Sequence, residues 1–378
     1  MKILEKFGFL VLTVLFSFSS FGQQEKQIPL FYSSQYNISF WGLERVHPFD
    51  AAKYGKVVNQ LKKYYGLRDS QFAAPEKMVI DKDLELVHTE NYLNSLKNTL
   101  NVLDVAEMVP EQSFLFGFPR WVMSFIPNRF LQQKLLDPMR WATAGTVDAA
   151  RIALKNKRAA INIGGGFHHA KKNDLEKTSF CYFGDIQFAI EKLWKEKEGL
   201  KVLIVDLDAH QGNGHESYFL KKEATAGKKN AEFDERITIF DVYNKDLPEH
   251  REDKLMGKYN FPISSGMKTD EYLKIVEENL PKAIKQANPG LIIYNAGTDI
   301  LSGDPEGQLD VSKVGIIQRD EFIFKEAKEK NIPVVMLTSG GYTSASAGVI
   351  ADSIKNLAEK KYIPVLEEYL PRSIAEYL

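Results

Sequence analysis

Residues 201–214, which read KVLIVDLDAHQGNG, decide the fold. The first part is a short, nearly continuous apolar run that ends on Asp206. Such a run is typical of a strand in a parallel sheet with both faces covered. Asp208 and His210 follow directly, within a glycine-containing turn. Because open α/β sheets bind ligands at the carboxyl ends of their strands, the stretch predicts a functional site at this point.

Similar apolar runs recur along the chain and alternate with stretches of helical period. The runs predict strands at residues 159–163, 201–206, 237–242, 291–295 and 333–337, and the periodic stretches predict helices at 185–197, 270–286, 319–328 and 346–360. This alternation predicts an α/β fold, an open and mostly parallel sheet flanked by helices on both faces. No repeat or low-complexity linker divides residues 23–378, which we interpret as a single domain.

Composition excludes several classes of protein. The 49 Lys and Arg residues nearly balance 50 Asp and Glu residues, which leaves a formal charge of −1 and predicts no nucleic-acid partner. A hydrophobic content of 44% argues against a disordered chain. Cys181 is the one cysteine, so neither an internal disulfide framework nor a cysteine-rich zinc site can form. A metal site would therefore consist of histidines and carboxylates.

The N-terminus has the pattern of a secretory signal peptide, which we predict over residues 1–22. A mildly positive start precedes an apolar run at residues 7–18, and Ser20 and Gly22 are small residues suited to cleavage. The run is shorter than the ~20 residues that cross a bilayer, so we expect no stable transmembrane anchor. The pattern predicts an exported protein, periplasmic or secreted. The alternative is a buried first helix.

Three residues have the chemistry of a metal site. Alternate residues of a strand share a face, so Asp206, Asp208 and His210 project together if the strand extends through His210. Asp299 follows the strand predicted at residues 291–295. Asp208, His210 and Asp299 would suit Zn²⁺ and leave an open coordination position, as in catalytic zinc sites, although Fe²⁺ also fits such ligands. The alternative is a buried polar pair that caps the glycine-rich turn.

Two histidines and a tyrosine follow other predicted strands. His168 and His169 come after three glycines, and two adjacent imidazoles can provide one base and one electrostatic partner. Tyr342 comes after a glycine pair, where its hydroxyl could stabilise a developing oxyanion. Histidine pairs and tyrosines are more often surface or packing residues. Their position at strand ends beside the metal motif favours catalysis.

Together these motifs resemble the zinc-dependent histone deacetylase family, specifically its class IV branch, which has the arginase/deacetylase fold. The matching segments are residues 164–169, 180–181, 206–214, 294–304 and 339–342, with residues 36–38, 42–44, 47–50 and 87–89 upstream. The resemblance implies hydrolysis of an N-acyl amide, such as acyl-lysine, to a free amine and a carboxylate. An acylated small amine is the other substrate class that it implies.

The resemblance also implies a role for each matching residue. Asp208, His210 and Asp299 would bind zinc, and a potassium ion would lie near Asp206, Asp208 and His210. His169 would be the general base and then the acid, and His168, held by Asp206, would be its electrostatic partner. Tyr342 would polarise the substrate carbonyl. Asn213 would lie beside His169. Phe180, Gly340 and Gly341 would line the substrate site.

Two positions depart from most of the family. Asn213 stands where most class I members carry an aspartate, although class IV shares the asparagine. A neutral amide stabilises protonated His169 less than a carboxylate does, so we predict a lower His169 pKa. Lys177, Thr178 and Ser179 precede Phe180 where family members usually have glycines, and their side chains would reshape the substrate tunnel.

Several alternatives remain open on the sequence. The enzyme could be an acetylpolyamine amidohydrolase or a long-chain fatty-acyl-lysine deacylase. Residues 113–141 are rich in aromatics. They could pack on the sheet edge or form an apolar rim for an acyl chain or a membrane. A two-metal ureohydrolase would need further aspartates after Asp299, where Ile300 follows instead. A non-catalytic acyl-binding module would be expected to lack a catalytic histidine or Tyr342. Lys53 could lie at the floor of a product channel or on the surface. The oligomeric state is not specified.

Overall fold

The sheet has seven parallel strands. The computed structural model describes residues 29–38, 52–106, 120–173, 178–222, 232–247 and 259–363. Its strands are β1 (Leu30–Phe31), β2 (Ala159–Asn162), β3 (Val202–Asp206), β4 (Leu220–Lys222), β5 (Glu232–Phe233), β6 (Ile237–Asn244), β7 (Tyr259–Ile263), β8 (Leu291–Asn295) and β9 (Val334–Leu337). The sheet order is β1-β2-β9-β8-β3-β6-β7, and β4 pairs separately with β5. The predicted open parallel sheet is confirmed.

Helices follow or connect most of these strands. They are α1 (Lys53–Tyr65), α2 (Asp81–Leu84), α3 (Glu90–Ser95), α4 (Thr99–Val105), α5 (Arg120–Met123), α6 (Asn128–Leu131), α7 (Asp137–Asn156), α8 (Asp185–Glu196), α9 (Asn213–Phe219), α10 (Thr269–Ala287), α11 (Lys313–Glu329) and α12 (Ser346–Glu359). A π-helical turn, Gln132–Leu136, joins α6 to α7. Within the described parts of the chain, no helix is both long and apolar enough to cross a membrane.

Both faces of the sheet are covered, because each central strand is apolar on both sides. In β3, Leu203 and Val205 belong to one core, and Val202 and Ile204 belong to the other. Helices α1, α10, α11 and α12 cover the first face, and α7, α8 and α9 contribute to the second. This double covering explains why the strands read as continuous apolar runs instead of alternating patterns.

The sequence prediction missed the two edge strands. The strand β1 has only two residues, and β7 is half-exposed and contains Pro262. Proline and partial exposure are typical of an edge strand and weaken its apolar signal. Helix α11 begins at Lys313, earlier than the predicted residue 319, because the Ser312 hydroxyl caps it by accepting a hydrogen bond from the Gly315 N–H at 3.1 Å.

Candidate catalytic metal site

The loop after β3 carries two of the predicted metal ligands. The strand ends at Asp206, so the expectation that it extends through His210 is wrong. The Asp208 carboxylate accepts a hydrogen bond from the backbone N–H of His210 at 3.1 Å, and the Asp206 carboxylate accepts one from the backbone N–H of Asp208 at 3.2 Å. These short side-chain bonds to the backbone favour a turn over continued strand. As a consequence, Asp206 and Asp208 have different partners.

Asp208, His210 and Asp299 meet at one point. His210 Nδ1 lies 3.0 Å from Asp208 Oδ1 and 2.9 Å from Asp299 Oδ2. One ligand atom from each residue lies within 4.8 Å of the other two, and all three side chains are buried. Two carboxylates and one imidazole are the donor set and number of a catalytic zinc site. The residues therefore fit the metal that the sequence predicts.

The electrostatics of this cluster also favour a cation. Burial, followed by the charge of Asp208, raises the pKa of Asp299 to about 7. Burial acts in the same direction on Asp208, but the nearby His168 and His210 outweigh it and hold the Asp208 pKa well below its ordinary value. Two buried carboxylates this close repel each other, and a divalent cation between them would remove that repulsion.

Of the two glycines predicted to line the substrate site, Gly340 lies against the predicted metal ligands and Gly341 lies against Thr298 and Ser346. The Gly340 N–H donates to Asp208 Oδ2 at 3.0 Å, beside a second donor, the Ser339 hydroxyl, at 3.1 Å. A side chain at Gly340 would place its Cβ 2.6 Å from Asp299 Oδ2. Gly341 has a φ of +128°, which favours glycine. The space that Gly340 leaves is therefore occupied in part by the carboxylates of Asp208 and Asp299.

The paired histidines differ in charge because their partners differ. His168 Nδ1 lies 2.8 Å from Asp206 Oδ2, and His169 Nδ1 lies 2.9 Å from Asn213 Oδ1. Burial lowers the pKa of His168, but Asp206 and Asp208 outweigh it and raise the pKa to about 9. Burial, followed by the charges of His168 and His210, holds the pKa of His169 well below 6.5. A charged imidazole thus lies beside a neutral one, with ring centroids 4.1 Å apart.

Asp185 holds the loop that carries these histidines, and the sequence reasoning missed it. Its carboxylate accepts the Gly166 N–H at 2.9 Å and the Phe167 N–H at 2.8 Å. The Thr146 hydroxyl donates to it at 2.6 Å, and the side chain is fully buried. An aspartate directly after Gly184, in the first turn of α8, looks like an ordinary helix-start residue in sequence. Only the packing of α8 under the loop shows that Asp185 also holds the loop in place.

Tyr342 follows β9 and lies close to His210, one of the predicted metal ligands. Its ring centroid lies 6.1 Å from that of His210, at an interplanar angle of 80°, and its N–H donates to Asp304 at 2.8 Å. The side chain is half-buried. Burial, followed by Asp208 and Asp299, raises the pKa of the phenol well above 10. The hydroxyl therefore keeps its proton at neutral pH and can donate a hydrogen bond.

Phe180 lies in a loop whose backbone has left-handed geometry. Ser179 has a φ of +32° and Phe180 a φ of +60°. The Phe180 N–H donates to Val105 O at 2.8 Å, which ties the loop to the end of α4. Glycine adopts such angles without strain, whereas a bulky side chain does so at a cost of about 1–3 kcal/mol. The predicted departure from glycine thus places a strained residue at Ser179, next to the strained Phe180. Lys177 lies outside the described residues.

Lys53 is buried beneath the site, so the surface interpretation is wrong. Its Nζ donates to the carbonyl oxygens of Ser339 and, at 2.9 Å, Gly340. Gly340 in turn donates to Asp208. The Lys53 ammonium therefore supports the turn that contacts Asp208, a predicted metal ligand.

The aromatic segment is divided between packing and exposure. Phe130 and Trp141 are half-buried and pack against the core. Trp121 and Phe125 are 65% and 75% exposed, with ring centroids 6.1 Å apart. Residues 113–119 of this segment lie outside the described residues. The packing interpretation thus fits the later part of the segment, at Phe130 and Trp141, whereas Trp121 and Phe125 form an exposed aromatic pair.

His88 lies between α2 and α3 and links them to the backbone at Lys171 and Gly184. Its Nε2 accepts the Gly184 N–H at 3.0 Å, so Nδ1 carries the proton that is donated to Lys171 O at 2.9 Å. Its ring stacks on Tyr92, with centroids 4.7 Å apart. Burial lowers the pKa of His88 to about 4, more than its backbone bonds raise it. Since one ring nitrogen donates a hydrogen bond and the other accepts one, both bonds require the neutral imidazole.

We expect His88 to make the fold sensitive to acid. The unfolded chain binds a proton at His88 below about pH 6.5, whereas the folded chain resists protonation down to about pH 4, so stability is present above pH 6.5 and lost as the pH falls. The loss at pH 4 should be about 3 kcal/mol. Urea unfolding of wild type and His88→Gln at pH 7, 5.5 and 4.5 measures it. The variant should show a shallower loss of stability, and equal slopes in both proteins would contradict the assignment.

Comparison with known proteins agrees with this geometry. Residues 47–358 match the histone deacetylase domain. The chain belongs to the histone deacetylase family. It is 42% identical over 345 residues to histone deacetylase 2 of Arabidopsis thaliana, covering 90% of this chain and 81% of the relative. It is also 26% identical to histone deacetylase 2 of Oryza sativa subsp. japonica and 28% identical to type-1 histone deacetylase 1 of Dictyostelium discoideum, covering 85% and 84% of this chain.

Membership of the family makes the chain a deacetylase-type enzyme with an arginase/deacetylase fold. The non-catalytic binding module considered above is therefore wrong. The chain spans 59% and 60% of the length of the rice and Dictyostelium relatives. Histone deacetylase family enzymes are zinc-dependent, which agrees with the donor set of Asp208, His210 and Asp299.

Proposed function

We propose that the protein is a zinc-dependent hydrolase that removes an acyl group from an amine, with the side chain of an N-acyl-lysine as the substrate class. The observation that supports this most is that His169 and Tyr342 both lie close to His210, one of the predicted metal ligands. Their ring centroids lie 5.8 Å and 6.1 Å from that of His210. A base and a hydrogen-bond donor around one metal position suit the cleavage of an amide.

Asp208, His210 and Asp299 would hold the metal. Bound zinc would supply Lewis-acid activation of the acyl carbonyl and of water. Fe²⁺ is accepted by the same ligands. The second buried group, Asp206, His215 and Asp241, supports the proposal of a potassium ion near Asp206, because its three ligand atoms also lie within 4.8 Å of one another.

His169 would move the protons of the reaction. Its Nδ1–H donates to the Asn213 oxygen, so the lone pair of Nε2 is available to the substrate side. Nε2 would take a proton from the attacking water and return it to the leaving amine. His168 would remain a cation paired with Asp206, and its charge keeps His169 neutral until the proton arrives.

Tyr342 would bind the acyl oxygen. Its hydroxyl stays protonated because burial and two nearby carboxylates raise its pKa. A donor aimed at an oxygen that gains negative charge during the attack stabilises the transition state more than the substrate. The tyrosine would thus stabilise the same carbonyl group that a metal held by Asp208, His210 and Asp299 would polarise.

Finer assignments remain proposals. Placement in class IV rests on Asn213 and the segments that resemble that branch. Export rests on residues 1–22, which lie outside the described residues. A long-chain acyl substrate is supported by the exposed Trp121 and Phe125, and an acetylpolyamine by no specific contact.

A substrate panel tests the proposed function. Purified protein would be assayed with acetyl-, octanoyl- and myristoyl-lysine peptides and with acetylpolyamines, before and after removal of metal by a chelator. We expect cleavage of at least one lysine peptide, abolished by the chelator and restored by zinc. Cleavage of acetylpolyamines alone would replace the lysine substrate class. Failure to cleave any of them would overturn the proposal.

We expect Asn213→Asp to raise the pKa of His169. A carboxylate 2.9 Å from Nδ1 stabilises the imidazolium, and opposite charges this close shift a pKa by about 1–3 units. Because the neutral base is the active form, the acidic limb of the kcat/KM profile should move to higher pH. Asn331→Asp adds the same charge at an exposed position after α11 and should leave the limb in place. An unmoved limb in Asn213→Asp would argue that His169 is not the base.

A further inference from the structure

Arg319 is a fully buried arginine that bridges the two segments carrying the metal ligands. It lies on α11, and its side chain is 0% exposed. One guanidinium nitrogen, Nη1, donates to Leu207 O at 3.0 Å and to Gly297 O at 2.7 Å. Leu207 directly precedes the ligand Asp208, and Gly297 lies two residues before the ligand Asp299. A single side-chain atom thus joins the end of β3 to the end of β8.

The charge of Arg319 is balanced within the same buried network. Asp320 Oδ1 lies 2.9 Å from Nε and 2.8 Å from Nη2. The Tyr294 hydroxyl donates to the same carboxylate oxygen, and the Ser353 hydroxyl donates to the other. Asn295, next to Tyr294, donates to Asp206 at 2.9 Å. The network therefore fixes the guanidinium in place and contacts the site at a third point.

A buried ion pair is a poor way to stabilise a fold. Removing two charges from water is costly, and apolar side chains of similar volume often give equal or greater stability. The two carbonyl oxygens, by contrast, both accept from one nitrogen of Arg319, and the planar guanidinium can contact them and Asp320 together. The geometry points to a role in the site that an apolar residue could not fill.

We propose that Arg319 is a positioning residue of the metal centre, which sets the spacing of Asp208 and Asp299 through the carbonyls of Leu207 and Gly297. The proposal rests on the proposed zinc site. Groups that orient metal ligands from behind typically change metal affinity by about 10- to 100-fold when removed. Arg319 touches neither substrate nor metal, so its effect should appear first in metal binding.

The test compares Arg319→Lys with Arg140→Lys. Arg140 is also a buried arginine paired with aspartates, but it lies on α7 and contacts Asp81 and Asp137. Lysine keeps the charge of Arg319 but cannot bridge both carbonyls and Asp320. We expect Arg319→Lys to bind zinc about 10- to 100-fold more weakly in a chelator competition and to change the visible absorption of the Co²⁺-loaded protein. Arg140→Lys should match wild type in both measurements.

Tyr294→Phe is a milder second variant in case Arg319→Lys does not fold. It removes one hydroxyl that holds Asp320 and should weaken zinc binding about 3-fold, as expected for one hydrogen bond. Zinc affinity and Co²⁺ spectra that match wild type in Arg319→Lys, or in Tyr294→Phe if Arg319→Lys does not fold, would overturn the inference and leave the proposed function intact. A wild-type protein that binds no zinc would instead overturn the proposed function.

Discussion

Asp208→Asn is expected to abolish zinc binding and to lower kcat/KM at least about 1,000-fold. The loss of Lewis-acid activation removes several kcal/mol of transition-state stabilisation, and about 4 kcal/mol corresponds to this factor. Asparagine keeps an oxygen that can accept the His210 N–H but has no negative charge for the metal. Metal content by elemental analysis and steady-state kinetics on the best panel substrate give the two measurements.

The same variant separates metal loss from misfolding. Zinc at 100 times its Kd should stabilise wild type by about 2.7 kcal/mol and leave Asp208→Asn unchanged. Asp270→Asn, an exposed carboxylate in the first turn of α10, should retain metal content and activity. An Asp208→Asn protein that holds one zinc per chain and keeps wild-type kcat/KM would falsify the ligand assignment.

His169→Ala is expected to lower kcat by about 100- to 10,000-fold while the protein keeps its metal. A positioned general base and acid contributes a factor of this size, and His169 contacts Asn213 instead of a ligand carboxylate. The pH-dependent acidic limb that belongs to the base should also disappear from the residual activity. Stopped assays at high enzyme concentration across pH 5 to 9 provide the measurement.

His168→Ala is the informative comparison. It removes the cation next to His169 and should raise the pKa of His169, because the positive charge of His168 lowers it. Its acidic limb should therefore move upward, whereas that of His169→Ala is absent. If His168→Ala loses the limb and His169→Ala keeps it, the two roles are the reverse of those proposed.

Much of the fold was predictable because its central strands are buried on both sides. The predicted residues 291–295 coincide with β8, and the other four predicted runs overlap β2, β3, β6 and β9. Strands that are covered on both faces appear in the sequence as continuous apolar runs, so they can be predicted from the sequence. The short strand β1 and the half-exposed β7 have little apolar signal of their own, because edge pairing supplies their stability.

The chemistry of the site was also predictable in kind. Asp208, His210, Asp299, His168, His169 and Tyr342 all follow central strands, and parallel strands bring their carboxyl ends to one edge. The residues that hold these side chains in place were not predictable. Asp185, Lys53 and Arg319 lie on helices far along the chain from the loops that they hold.

By itself, the sequence determined which residue types follow each strand, and hence the reaction class. Tertiary structure alone decided the charges of those residues, because burial, the neighbouring charges and a partner at 2.8 or 2.9 Å favour a cationic His168 and a neutral His169. A pKa depends on distances and on exclusion of water, and neither is encoded in the order of residues along one strand. The packing of the helices against the sheet sets both.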